Sequence, residues 1–216
     1  MLRVVLTVIA AVTAAGTAGA APFVNGSFEF GPDPGAYLTL QNGSSAITGW
    51  TVTTGNIDYV GTYWVPEDGE RSVDLNGSGT QQGPAQPGGI AQTFDTMIGV
   101  PYTVSFWLAG NTDGAPDTKA MTAAATGGPS TSYTFDIAGH SRSDMGWVQH
   151  QYNFTASAAS TTLEFRSTVS GPFGPALDNV SVAPANAVVP EPATLVLLGA
   201  GLVLISFVSR RLIKLS

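Results

Sequence analysis

Aromatic side chains stand beside acids in the segment 61–68. It contains Tyr63 and Trp64 followed by two acids, and Asp58 precedes it. Aromatic rings stack on the C–H faces of sugars, and carboxylates accept hydrogen bonds from sugar hydroxyls. We therefore take Asp58, Tyr63 and Trp64 as candidate carbohydrate-binding residues. The alternative is that Trp64 packs beneath its own loop.

A further candidate, Trp107, lies in an alternating segment. Tyr102, Val104, Phe106 and Leu108 form one set in a period of two, and Trp107 belongs to the other set. Successive side chains of a strand point to opposite faces. Trp107 is therefore expected to point away from the core, where it either contacts a glycan or packs under a loop.

Residues for covalent chemistry are scarce. The chain has no cysteine and two histidines, His140 and His150, which argues against a zinc site of the His/Cys type. The run 139–143 lacks the last glycine of a nucleophile elbow. Five acids lie close together in sequence, but such clusters in turns are usually solvated: Asp58, Glu67, Asp68, Glu70 and Asp74. We assign no catalytic residue and predict that the protein is not an enzyme, with a polysaccharide hydrolase as the alternative.

The charge of the chain narrows the choice of partner. Between positions 21 and 189 there are fourteen acidic and four basic side chains, which gives a net charge of −10. Nucleic acids and anionic membrane surfaces attract clusters of Lys and Arg, so neither is an expected partner of this part. Without cysteines, the domain must be stabilised by a hydrophobic core.

Short alternating segments separated by Gly, Asn, Asp and Pro fill the chain from position 23 to 182. Trp50 with Val52, Ile57 with Tyr59, and Leu163 with Phe165 repeat the period of two. About nine strands at this spacing predict an all-β fold, a two-sheet antiparallel sandwich. We expect a single domain at 21–183, followed by a linker at 184–189.

The N-terminus has the features of a signal peptide. Residues 1–20 contain one cation, Arg3, then an apolar stretch, and they end in the small residues Ala18, Gly19 and Ala20. We predict cleavage after Ala20 and export through the inner membrane.

The C-terminus has the features of a membrane anchor. The uncharged apolar run 193–208 would span roughly 24 Å as a helix, slightly less than a bilayer core. Arg210 and Arg211 follow it and would stay on the cytoplasmic side. We therefore predict a transmembrane helix at 193–208, with a buried core helix as the alternative.

The same tail resembles the PEP-CTERM sorting signal of Gram-negative bacteria. Val189, Pro190, Glu191 and Pro192 precede the apolar run, and Arg210 and Arg211 end it. The resemblance implies that residues 190–216 are a sorting signal processed by an exosortase, and that the protein is membrane-anchored before it reaches the cell surface or matrix. The alternative is that the two prolines form only a stiff spacer.

The domain resembles the choice-of-anchor C family, which belongs with the DUF642 group of galactose-binding-like jelly rolls. The similar segments span nearly the whole domain: 24–29, 47–50, 57–64, 71–75, 89–94, 145–147 and 174–182. The resemblance implies a jelly roll, an envelope location and binding of extracellular polysaccharide. It supplies no catalytic residue, and a structural matrix protein that binds no glycan is the alternative.

Jelly rolls of this type often hold a structural calcium ion where the first and last strands meet. Glu29 and Asp178 occupy those places in this sequence, and their hard oxygen atoms suit calcium. We name them as candidate calcium ligands. The alternative is that they accept backbone N–H bonds.

Overall fold

The computed structural model describes residues 21–79 and 85–185. The predicted signal peptide with Ala18 and Ala20, the sorting motif 189–192, the helix 193–208 and Arg210 and Arg211 lie outside the described residues. Within those two ranges, no helix is long and apolar enough to cross a membrane.

Eleven strands make up the described part of the chain. They are β1 Tyr37–Gln41, β2 Thr51–Thr54, β3 Asn56–Val60, β4 Ser72–Asp74, β5 Gly89–Asp95, β6 Pro101–Gly110, β7 Thr118–Ala125, β8 Ser130–Asp136, β9 Val148–Thr155, β10 Ser160–Ser167 and β11 Pro175–Pro184. The last strand therefore includes the first residue of the predicted linker.

The strands form two antiparallel sheets. The first has the order β1-β3-β4-β11-β6-β9, and the second has the order β2-β5-β10-β7-β8. Neighbours that are distant in sequence, such as β4 and β11, show that the chain crosses between the sheets as in a jelly roll. The predicted all-β sandwich is confirmed.

Period-two alternation places one face of each sheet in a shared core. In β6 the side chains of Val104, Phe106 and Leu108 are fully buried, and Trp107 between them is half-buried. Trp50 lies among aromatic rings, with its ring centroid 5.2 Å from Phe28. The core is thus rich in aromatic side chains, which suits a domain without disulfides.

The long antiparallel pair of β6 and β11 defines two ends of the sandwich. Tyr102 pairs with Pro184 at one end, and Gly110 pairs with Pro175 at the other. The first end also holds Ala21, whose carbonyl accepts a bond from Asp95, and Ala185, whose N–H donates to Pro101. We call this the terminal end, formed by positions 21–22 and 184–185 and the turns 96–100, 126–129 and 156–159. The opposite end is the cleft end.

Candidate functional site

A small cleft lies on the outer face of the first sheet. Asp58 on β3 pairs with Asp74 on β4, and both alternate with core residues, so their side chains share the outer face. The cleft is lined by Tyr37, Asp58, Val60, Tyr63, Trp64, Asp74, Ser78, Asn111 and Phe173. We call it the Tyr63 cleft. It encloses about 20 Å³, which is room for one water molecule or one hydroxyl group.

Asp58 forms one side of the cleft floor. Its carboxylate accepts bonds from the Thr39 hydroxyl and from both the backbone N–H and the hydroxyl of Ser78. Burial raises the pKa of Asp58, and these hydrogen bonds partly oppose that rise. The floor therefore presents a desolvated carboxyl group that polar donors hold in place.

Asp74 forms the other side and is more deeply buried. Its carboxylate accepts N–H bonds from Asn76 and Gly174 and a 2.8 Å bond from the Asn111 amide. Burial raises its pKa well above the usual value, and the charge of Asp58 raises it further. The sequence interpretation placed the acid cluster in solvated turns. For Asp58 and Asp74 that interpretation is wrong, because both stand on strands whose outer face is covered.

Two tyrosines stand at the mouth of the cleft. Tyr37 is 42 % exposed, and its ring meets that of Tyr63 edge-on at 5.2 Å between centroids. The Tyr63 hydroxyl donates to Asp113, and the Arg142 guanidinium lies 4.0 Å from the centre of the Tyr63 ring. The Tyr63 ring is therefore held in one orientation at the mouth.

Asp113 and Arg142 form a bidentate ion pair behind Tyr63. Two guanidinium nitrogens of Arg142 donate to the two carboxylate oxygens, each at 2.7 Å. Burial alone raises the pKa of Asp113, but the bonds from Arg142 and Tyr63 lower it overall. Burial and the Asp113 charge raise the pKa of Tyr63 to about 12. The tyrosine is thus a neutral hydrogen-bond donor at physiological pH.

Trp64 is a wall of the cleft. Its side chain is 5 % exposed, and its indole N–H donates to the Ser72 hydroxyl at 2.8 Å. Its ring centroid lies 5.9 Å from that of Tyr63. Trp64 therefore supports Tyr63 from behind and exposes little of its own face.

Trp107 lies on the same face of the sheet but is not among the described residues that line the cleft. It is half-buried on β6, with Gln149 and Asp178 as its register partners. The outward positions of β6 and β9 beside it are polar: Thr103, Ser105, Gln151 and Asn153. The structure thus brings together three of the four predicted binding residues and places Trp107 apart from them.

The two candidate calcium ligands both hold the segment 67–71. Glu29 accepts backbone N–H bonds from Glu70 and Arg71, and Asp178 accepts them from residues 67 and 68. Burial raises the pKa of Asp178 to about 7. Within ranges 21–79 and 85–185, no three acids or histidines form a metal-binding group. Both carboxylates thus accept hydrogen bonds from backbone N–H groups, which is the alternative to calcium binding. Calcium binding stays a prediction.

Several residues of the site were not predicted from the sequence. Tyr37, Asn111, Asp113 and Arg142 reach the cleft or its mouth from three separate loops and strands. The Asn-Thr-Asp-Gly run at 111–114 has the composition of a turn and carries no further signal of a binding role. Nothing local in the sequence connects that turn with Arg142, since the ion pair depends on the approach of two distant loops.

Comparison with known proteins gives matches for both parts of the chain. Residues 21–183 match the family model described as a protein of unknown function, DUF642, and residues 188–211 match the PEP-CTERM protein-sorting motif. Halomucin of Haloquadratum walsbyi is 34 % identical over 163 residues, which are 74 % of this chain and 2 % of halomucin. The chain therefore spans a very small part of that relative.

Solved structures of similar fold have low sequence identity. A family 35 carbohydrate binding module from Clostridium thermocellum has a TM-score of 0.42 and 14 % identity, covering 68 % of this chain and 99 % of that one. The CBM22-1 xylan-binding domain of Paenibacillus barcinonensis Xyn10C has a TM-score of 0.42 and 14 % identity, covering 70 % and 95 %. At this identity the comparison concerns the fold alone.

Proposed function

We propose that this chain, which belongs to the DUF642 family, is an envelope protein whose β-sandwich binds a neutral polysaccharide. The PEP-CTERM motif at 188–211 indicates export and sorting to the cell envelope, and it implies processing by an exosortase. In the proposal, a Gram-negative cell exports the chain through its inner membrane, and the apolar run 193–208 anchors it until processing. The domain then retains polysaccharide at the cell surface or in the matrix.

One observation carries the binding proposal: two partly exposed tyrosine rings stand over a floor of hydrogen-bonding groups. Tyr37 is 42 % exposed, and Tyr63 is half-buried with Arg142 over its ring. The remaining ring surface lies at the mouth, where a sugar ring can stack. The enclosed space of about 20 Å³ admits one hydroxyl, which would reach Asp58 or Ser78. The geometry therefore suits a sugar bound at the mouth that inserts a single polar group.

The charges around the cleft favour a neutral sugar over an acidic one. Asp58 and Asp74 form the floor, and Arg142, the cation nearest the mouth, is already paired with Asp113. A sugar carboxylate would meet like charge without gaining a cation. We assign Tyr37, Tyr63 and Asp58 to direct contact and Trp64 to support. Trp107 and the polar row beside it would extend the contact along the sheet.

Retention on a neutral polysaccharide tests the proposal. Tyr63→Ala and Tyr37→Ala are each expected to weaken retention of residues 21–185 roughly tenfold, the loss of one stacking contact. Tyr63→Phe keeps the ring and is expected to retain most of the affinity. The matched control is Phe30→Ala, which removes a 68 % exposed ring that does not line the cleft.

The outcome also separates the competing functions. Release of reducing ends, abolished by Asp58→Asn, would assign a hydrolase whose paired carboxyls are Asp58 and Asp74. Absence of retention on every neutral glycan of an array would favour a structural matrix protein. Retention unchanged in both tyrosine variants would remove the Tyr63 cleft from consideration and leave the Trp107 face.

Calcium binding by Glu29 and Asp178 is a separate proposal. Backbone carbonyls near the first and last strands would have to complete a shell of six to eight oxygens. An ion that binds only the folded state raises the melting temperature as its concentration increases. We expect such a rise for the unmodified chain and its loss in Asp178→Asn. A melting temperature indifferent to calcium and to chelator would leave both carboxylates as acceptors for the loop 67–71.

A further inference from the structure

Two apolar side chains project from the terminal end of the sandwich. Met97 and Ile98, at the tip of the β5–β6 turn, are 61 % and 69 % exposed. Two backbone hydrogen bonds hold this turn. The N–H of Thr96 donates to the carbonyl of Ala159, and the N–H of Gly99 donates to the carbonyl of Ala156. The turn therefore presents the two side chains with more than half of each exposed.

The surface around this tip carries no charge. The turns 96–100, 126–129 and 156–159 and the chain ends 21–22 and 184–185 contain only Ala, Gly, Ser, Thr, Pro, Val, Met and Ile. Asp95 borders them, and its carboxylate accepts the N–H of Ala21. If cleavage follows Ala20, that nitrogen becomes an ammonium group and neutralises Asp95. An uncharged end with an apolar tip suits contact with a zwitterionic lipid surface.

The cleft end has the opposite character. The loops 111–117 and 137–147 and the strand ends beside them carry Asp113, Asp117, Lys119, Asp136, Arg142 and Asp144. The ten residues of β6 separate the two ends by roughly 30 Å. Charged side chains are thus concentrated at the end that holds the Tyr63 cleft, whereas Asp95 is the one that borders the turns and chain ends of the terminal end.

The tether length brings the uncharged end close to a membrane. Seven residues, 186–192, separate Ala185 from the apolar run that begins at position 193. Fully extended, they span at most about 25 Å. Ala185 is bonded to Pro101, three residues after Ile98, so the tether begins beside the tip. An anchored domain therefore keeps Met97 and Ile98 within reach of the lipid.

We infer that Met97 and Ile98 form a membrane-contacting tip that docks the terminal end of the domain on the bilayer. Docking turns the Tyr63 cleft outward, away from the membrane that holds the chain. The inference rests on the proposed anchoring by the run 193–208. It assigns to the domain a second contact with lipid, and that contact ends when the tail is processed.

Site-specific fluorescence in vesicles tests the tip. The chain has no cysteine, so one introduced thiol carries the only label. Ser157→Cys reports from the neighbouring turn at the terminal end, and Ser143→Cys reports from the cleft end. The full chain, from position 21 onward, is reconstituted in phosphatidylcholine vesicles that contain a quencher near the lipid headgroup. Flotation of the vesicles shows whether the chain is anchored.

We expect the label at position 157 to be quenched several-fold more than the label at position 143. Replacing both tip residues, Met97→Ser with Ile98→Ser, should abolish this difference, because each lost side chain lowers the ratio of docked to free tip roughly tenfold. The matched control replaces two exposed valines away from the tip, Val65→Ser with Val148→Ser, and should preserve the difference.

Three results would overturn the inference. Flotation with equal quenching at the two positions would show an anchored domain whose tip does not touch lipid. In vesicles without quencher, the emission of the label at position 157 could change with the density of protein in the bilayer. That result would show that the tip contacts other copies of the chain instead of lipid. A chain that fails to float would overturn the anchoring proposal, and the inference that rests on it, together.

Discussion

Trp64→Ala is expected to lower the free energy of unfolding by about 3–5 kcal/mol, the usual cost of deleting a buried aromatic side chain. The indole is 5 % exposed, and its removal also leaves the fully buried Ser72 hydroxyl without its N–H donor. Tyr63 loses the ring behind it. We therefore expect glycan retention to fall together with stability. Urea denaturation and retention on the same preparations measure both.

Trp107→Ala is the control for the stability measurement alone, because Trp107 would itself extend the sugar contact. The indole of Trp107 is half-buried on an outward face of β6, so its loss should cost about 1 kcal/mol. The stability and the retention of Trp64→Ala together decide whether Trp64 supports Tyr63 or contacts the sugar directly. Lost retention at nearly unchanged stability would show that Trp64 contacts the sugar directly and that its support of Tyr63 is secondary.

Strands with large alternating side chains were predictable from the sequence. β6 and β9 alternate large apolar residues with mostly polar ones, and Val104 and Phe106 in β6 and Tyr152 and Phe154 in β9 are buried in the core. The reason is physical: a half-buried strand buries every second side chain, and large apolar groups make that period visible. The two-sheet sandwich follows from many such strands.

The buried side chains of strand β7 do not produce that signal. Its inward positions are Lys119, Met121, Ala123 and Ala125. Alanine is weakly apolar and disfavoured in strands, and a lysine at a buried position breaks the pattern. The Lys119 ammonium is accommodated by a 2.6 Å bond to the carbonyl of Gly114. That acceptor lies five positions earlier, in the loop that precedes β7.

The candidate site was predictable only where its residues are close in sequence. Asp58, Tyr63 and Trp64 lie within seven positions, and the structure places all three around one cleft. The partner that holds the Tyr63 hydroxyl, Asp113, lies 50 positions away. Its approach depends on how two loops cross the sheet, which no local pattern encodes.

Stability is expected to fall as the pH rises above about 4, because burial raises the pKa of two carboxyl groups, Asp74 and Asp178, in the folded state. Asp74 is 1 % exposed, and burial raises its pKa well above the usual value of 3.8. At a pH between the usual pKa of Asp74 and its raised pKa, the folded state therefore keeps a proton that the unfolded state has lost. The free energy of unfolding then decreases by up to about 1.4 kcal/mol per pH unit. At a pH below 3.8, the usual pKa of Asp74, the stabilising contribution of its protonated form is fully present.

Asp74→Asn should reduce this dependence and leave the part due to Asp178, because the amide does not titrate while its oxygen still accepts the N–H bonds from Asn76 and Gly174. Asp113→Asn provides a control of opposite sign. The pKa of Asp113 is lowered overall in the folded state, so its contribution is present at neutral pH and is lost in acid. Without Asp113, the free energy of unfolding should fall more steeply as the pH rises.

Urea denaturation between pH 4 and 8 measures all three proteins. Equal slopes for Asp74→Asn and the unmodified chain would show that Asp74 stays ionised in the fold, with the buried Lys119 ammonium as the nearby charge that balances it.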